Sequence, residues 1–131
     1  MEKIKCISVK QPYADFLVSG KKKVVLRGKY TNYRGEVLIH AANEPDLAAC
    51  KRHGIDPKTL THGAIIGKLH LYGVKEYLTE KGFLSDTKKH LAEDFDEKKH
   101  RYGFMLKAVE RFVEPVYLDV DKGVDFFEAK V

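Results

Sequence analysis

The stretch AIIGKLHLYGVKEYL, residues 64–78, reads as one long β-strand rich in branched and aromatic side chains. Gly67 and Gly73 fall inside it, and a glycine within a strand marks a bulge or a tight bend. A second long strand is expected from Tyr102 to Glu114, ended by Pro115, which has no N–H for a ladder. A shorter strand, Val116 to Val120, follows. Bulges and bends are how a sheet curls, so these strands predict a small, strongly curved sheet or barrel rather than a flat sandwich.

Working outward, Ile4 to Val9 alternates as a strand with one face better buried. Pro12 suits the first turn of a helix of about two turns, carrying Tyr13, Phe16 and Leu17, with Gly20 placed to end it. Residues 23–28 return as β structure, a polar loop covers residues 30–35, and a strand runs from Glu36 to Ala42. Asn43 is a suitable N-cap for a helix from Glu44 to His53, closed by Gly54. Residues 55–62 form a turn around Pro57. Residues 79–100 carry the weakest pattern: Ser85 or Asp86 can cap a short helix through Glu93, and the charged run to Arg101 reads as exposed loop. Val124 to Ala129 is expected to form a closing helical turn. No repeat, linker or low-complexity tract divides the chain. Residues 1–131 are therefore expected to be a single α+β domain, a small curved β-barrel with a few short helices packed on it.

Composition narrows the function classes. The 131 residues are 44% hydrophobic and 33% charged, an ordinary globular balance. No apolar run approaches the roughly 18–20 residues of a membrane span, and the first residues lack the apolar core of a secretion signal. A cytoplasmic protein with no membrane partner is expected. Cys6 and Cys50 lie in apolar runs and are expected to be reduced, buried thiols. The histidines show no metal spacing, and the chain has no Cys-x-x-Cys, His-Glu-x-x-His or glycine-rich phosphate loop. Neither metal nor cofactor is expected.

Charge is more telling. Residues 1–66 hold 12 Lys and Arg against 6 Asp and Glu, whereas residues 67–131 hold 12 against 13. Between residues 10 and 35, Lys10, Lys21, Lys22, Lys23, Arg27, Lys29 and Arg34 face one acid, Asp15. Such asymmetry suits a polyanionic partner, although a lysine-rich solvated surface gives the same count.

Several motifs within this basic segment carry a resemblance. Ser8-Val9-Lys10-Gln11-Pro12-Tyr13-Ala14, then Ser19-Gly20-Lys21-Lys22 and Leu26-Arg27, resembles the opening signature of ASCH domains. Tyr30-Thr31-Asn32-Tyr33-Arg34-Gly35 and Leu38-Ile39-His40-Ala41-Ala42 continue it. Gly63-Ala64-Ile65-Ile66-Gly67 and Tyr102-Gly103-Phe104 sit where such a domain has its middle and late strands, so the match runs from about residue 7 to residue 115. The resemblance implies a PUA-like barrel with a cleft lined by the signature residues. It also implies binding of RNA or DNA, or, as in a small subset, an amidohydrolase that removes an acyl group from a modified cytidine. One position departs. The family pattern Gly-x-Lys-x-x-Glu-x-Arg falls on Gly20, Lys22, Val25 and Arg27, so the usual Glu is Val25. The small amidohydrolases carry a catalytic threonine there, and valine offers neither carboxylate nor hydroxyl.

The candidate nucleic-acid contacts are Lys10, Gln11, Tyr13, Lys22, Arg27, Tyr33 and Arg34. Lys22 follows a helix-ending glycine and can present a point charge to a phosphate, or act as base or nucleophile if desolvated. It can equally be one surface lysine among three. Arg27 can fork onto a phosphate or a base edge, or pair with an acid such as Glu36. Gln11, the only glutamine, can read a base edge or tie down its own turn. Tyr13, Tyr30 and Tyr33 interleave with the cations, as stacking on single strands requires, but each can also be packing. Arg34 can reach a phosphate or sit solvated. His40, in an apolar strand, reads as a hydrogen-bonded core histidine rather than a base.

The expected function is binding of RNA ahead of DNA, as a single strand or a nucleotide, in a basic, tyrosine-containing cleft. The alternative is a small amidohydrolase on a modified nucleoside or nucleotide, with Lys22 as the reactive group and Glu93 as the acid. A basic face for an acidic protein partner is a third option.

Overall fold

The computed structural model describes residues 3–120 and 126–130. Its six strands are β1 (Lys3–Val9), β2 (Val24–Arg27), β3 (Gly35–Ala41), β4 (Ala64–Glu76), β5 (Tyr102–Tyr117) and β6 (Phe126–Lys130). They form one sheet in the order β2-β5-β4-β3-β1-β6. Only β1 and β3 pair in parallel; the other four pairings are antiparallel. Four short helices decorate the sheet: α1 (Tyr13–Ser19), α2 (Leu47–Arg52), α3 (Glu80–Ser85) and α4 (Thr87–His90).

The sheet curls where the glycines foretold it. The β4–β5 register shifts between Ile65 and Gly67, between Lys68 and His70, and between Leu71 and Gly73. These shifts let the two longest strands wrap one core of Ile7, Leu17, Val25, Val37, Ile39, Leu71 and Phe104. Helix α1 lies against that concave face. A Cβ at Gly67 would collide with the Val18 side chain and the Glu110 carbonyl, so glycine is what admits the helix. Outside the helix, Arg111 on β5 bonds Asp15. Gly20 ends α1 at φ 85°, a left-handed turn that favours glycine.

Four expectations are corrected. The second helix begins at Leu47, not Glu44, and its cap is Asp46, whose carboxylate accepts from Ala49 N–H at 3.0 Å. Pro45 disfavours helical backbone at Glu44, which moves the start downstream. Pro115 does not end β5: residues 112–115 stand opposite Ile66 alone, a wide bulge in which a missing N–H breaks no ladder bond. The single helix from Ser85 or Asp86 through Glu93 is instead two short ones. Thr79 caps the first through Gly82 N–H, and Leu91, at φ 62°, stops the second. Residues 126–130 are strand, not a helical turn, and Val124 lies outside the described residues. Phe126 packs on the main core and Phe127 on the cluster of Cys6, Leu38 and Ile65, an alternation of period two. Cys6 and Cys50 are buried free thiols, and burial pushes Cys6 up to about 12. Among the described residues, no helix is long and apolar enough to cross a membrane.

Candidate functional site

Lys22 is held in place by its backbone before its side chain does anything. Its N–H donates to Phe16 O of α1 at 2.9 Å, and the next N–H, of Lys23, reaches Lys89 O of α4 at 2.8 Å. Lys23 O in turn accepts from Leu106 N–H of β5. Three elements therefore fix the turn, and Lys22 is carried inward until the residue is only 6% exposed. There it donates to His90 O and lies 5.1 Å from the Tyr13 ring centroid. Burial, with Arg27 nearby as a like charge, lowers its pKa from the usual lysine value to about 7. Among the described residues, no carboxylate pairs with it.

Lys22 opens onto a cleft of about 1010 Å³ at the β2 edge of the sheet. Val9, Val25, Phe104 and Phe126 supply apolar lining, and Tyr13, Arg27 and Tyr30 stand around them. Six cationic side chains line the cleft (Lys22, Arg27, Lys29, Arg52, Lys98 and Lys99) against three carboxylates, Asp46, Glu93 and Asp94. Two sides are drawn together. Gly28 backs onto the 98–99 segment so closely that a Cβ there would run into Lys98 O. Opposite, Arg52 donates to the Tyr13 hydroxyl at 2.7 Å and pairs with Glu93 at 3.3 Å. The Arg27 guanidinium donates to Leu26 O and to Ser8 O, tying the β2 edge toward β1.

Of the residues singled out in the sequence, Tyr13, Lys22 and Arg27 line this cleft, together with Tyr30 and Val25. The others lie elsewhere. Gln11 is buried, donates to Thr61 O and accepts from Asp15 N–H, each at 2.8 Å. Tyr33 donates to Glu36 O at 2.7 Å and sets its ring edge against Phe126. Arg34 is exposed and donates to Thr31 O and Tyr33 O of its own loop. Lys10 is exposed and does not line the cleft. Glu36, suggested as a partner for Arg27, pairs with Lys68 at 3.4 Å. His40 is buried with both ring nitrogens engaged, by Ser8 Oγ at 3.0 Å and Leu118 O at 2.8 Å. Sequence reasoning missed Arg52, which it placed on the second helix without a role, and Lys98 and Lys99, whose only signal was a charged run read as loop.

Behind the cleft, α4 carries His90 on its last turn. His90 Nε2 donates to Phe83 O at 2.7 Å and Nδ1 accepts from Ala92 N–H at 3.0 Å, which fixes a neutral ring. Burial lowers the pKa of both His90 and His100, whose rings stack on Phe83. At the other end of α4, Asp86 accepts from Lys75 at 2.7 Å and from the Tyr77 hydroxyl at 2.8 Å. No group of three or more His, Cys, Asp or Glu among the described residues is arranged to hold a metal ion.

The ASCH domain model matches residues 7–115. The crystal structure of ASCH from Zymomonas mobilis superposes with a TM-score of 0.70 at 14% identity, over 96% of this chain and 87% of that one. A mutant of the same Zymomonas mobilis protein gives a TM-score of 0.70 at 14% identity, over 98% of this chain and 91% of that one. At this identity the likeness speaks for the fold. No curated protein matches the sequence.

Proposed function

The chain belongs to the ASCH domain family, and from that premise we propose that it binds single-stranded nucleic acid, RNA ahead of DNA, or a nucleotide, in the cleft beside β2. One observation supports this most: cations from the β2–β3 region, from α2 and from residues 98–99 line a single cleft with Tyr13 and Tyr30. Exposed Lys29, Lys98 and Lys99 suit phosphates at the rim. Tyr30 is 57% exposed and offers a ring face for a base. The three carboxylates temper the field without cancelling it.

Binding titrations of a single-stranded RNA oligonucleotide against salt test the reading. Three rim lysines on phosphates predict a log–log salt slope of about −2, from about 0.7 per contact on single strands. Replacing Lys98 and Lys99 by alanine should flatten that slope by about 1.4. Affinity that ignores salt, or survives those replacements unchanged, overturns it. Hydrolysis of a modified nucleoside is the second reading, favoured by the near-neutral amine of Lys22 in the cleft. It lacks support at Val25, which is buried in the apolar lining. Its signature is turnover of an acylated nucleoside that disappears in Lys22→Met.

A further inference from the structure

Resting on that reading of the cleft, we propose that its floor receives a terminal phosphate monoester, so that the chain recognises the end of a strand or a nucleotide rather than the middle of a strand. The argument begins with Lys22. A buried ammonium is costly unless a counter-charge meets it, and here the recorded partner is one neutral carbonyl, His90 O. An ammonium has three N–H donors, so this bond leaves capacity for an acceptor arriving from the cleft. Apolar Val25 and Phe104 line the same cleft and keep water from screening such a contact.

The shape of the site selects which phosphate can arrive. A phosphodiester within a strand carries one charge and an ester substituent on either side, and both neighbours must find a way out. A terminal monoester carries up to two charges and only one substituent, so it can enter a recess head first. The walls around Lys22 favour the second. The Tyr13 ring lies 5.1 Å from its amine and is held by Arg52, which also pairs with Glu93, while Gly28 closes on Lys98 O along the same cleft. The amine of a residue only 6% exposed, set behind Tyr13, is reached by an end more readily than by a continuous chain. Bases of the following nucleotides would then lie outward, toward Tyr30 and the rim lysines.

Calorimetric titration with three single-stranded RNA octamers of one sequence decides the matter: one with a 5′-phosphate, one with a 3′-phosphate, one with hydroxyls at both ends. One phosphorylated form should bind at least about tenfold tighter than the hydroxyl-ended form, the effect of one added charge-assisted contact. In Lys22→Met that advantage should vanish, while Lys98→Ala should weaken all three octamers alike. On the unaltered protein at constant ionic strength, inorganic phosphate should compete with the favoured octamer and spare the hydroxyl-ended one. Equal affinity for all three octamers, or equal competition by phosphate, overturns the terminal-phosphate proposal and leaves strand binding standing. Failure of every octamer to bind at low salt overturns both.

Discussion

Two buried ionisable groups flank the four-residue helix α4, and the chain treats them in opposite ways. Asp86, at its start, is met by the Lys75 ammonium, the Tyr77 hydroxyl and, at 4.0 Å, Lys89. Lys22, whose amine reaches the last residue of the helix, meets a carbonyl and sits near another cation. The hydrogen bond from Lys75 leads the causes that hold the Asp86 carboxyl below its usual range, whereas burial drives Lys22 to about 7. One site is satisfied and the other is short of a counter-charge. The contrast teaches where to look for function: a charge completed by its own chain supports the fold, and a charge left incomplete at a cleft waits for something to arrive.

The contrast breaks if removing Asp86 is harmless. Asp86→Ala strips two charge-assisted bonds and strands the hydroxyl of Tyr77, a residue only 3% exposed, so a loss of ~3 kcal/mol is expected. Urea unfolding at pH 7, read as a lowered midpoint at unchanged slope, measures it. Acid sharpens the point. Because the folded carboxyl titrates below its unfolded value, its stabilisation is complete above about pH 4 and is lost as pH falls through the depressed folded pKa. The variant should lack that part of the acid limb.

Lys22→Met should move stability the other way. Methionine keeps the length of the stem and removes the buried charge, so the variant should gain ~2 kcal/mol at pH 7. Both folded pKa values lie below their unfolded values, so the pH dependence has the same sign as that of Asp86. What differs is the window, acid for Asp86 and neutral to alkaline for Lys22, and that the shift reports stabilisation of the charge at Asp86 but its cost at Lys22. The unfolded lysine keeps its proton up to about 10.5 while the folded amine loses it near 7, so wild-type stability should rise with pH above neutrality. The slope is bounded by about 1.4 kcal/mol per pH unit for one proton. Thermal melts at pH 7, 8 and 9 check it: the gap between variant and wild type should close across that range. A variant less stable than wild type at pH 7 would mean that the His90 bond outweighs desolvation, and the comparison would fail.

How much of this the sequence announced follows from the range of each signal. The curled sheet was legible because Gly67 and Gly73 mark bends locally, whatever lies across from them. Lys22 was legible as a candidate because Gly20 and the strand at Val24 place it at a turn. Its burial was not, since that depends on Phe16, Lys89 and Leu106 meeting one turn from three separate elements. Gln11 and Arg34 looked equally available as ligands, yet each spends its donors on nearby backbone carbonyls, an outcome set by loop conformation. Arg52 read as part of a helix but not as facing a cleft, because that depends on how α2 packs beside Tyr13, and Lys98 and Lys99 sat in a charged run with no periodicity to expose them. Asp86 read only as a helix cap, because its partners Lys75 and Tyr77 belong to β4 and to the segment after it.

The smallest effect concerns a pair that belongs to neither class. Arg52 and Glu93 meet at 3.3 Å with both side chains substantially exposed, so the pair is screened and its two members are solvated when parted. Glu93→Gln should therefore shift stability by less than about 1 kcal/mol. Its effect on ligand should be larger than its effect on the fold. Removing one of three carboxylates from the cleft, and releasing Arg52 from a competing anion, should tighten oligonucleotide binding by roughly threefold at low ionic strength and by little at 0.5 M salt. Paired melts and titrations of the one variant separate the two readouts. A loss of stability as great as that of Asp86→Ala would make Glu93 a fastening of the fold, and the division between completed and waiting charges would have to be redrawn.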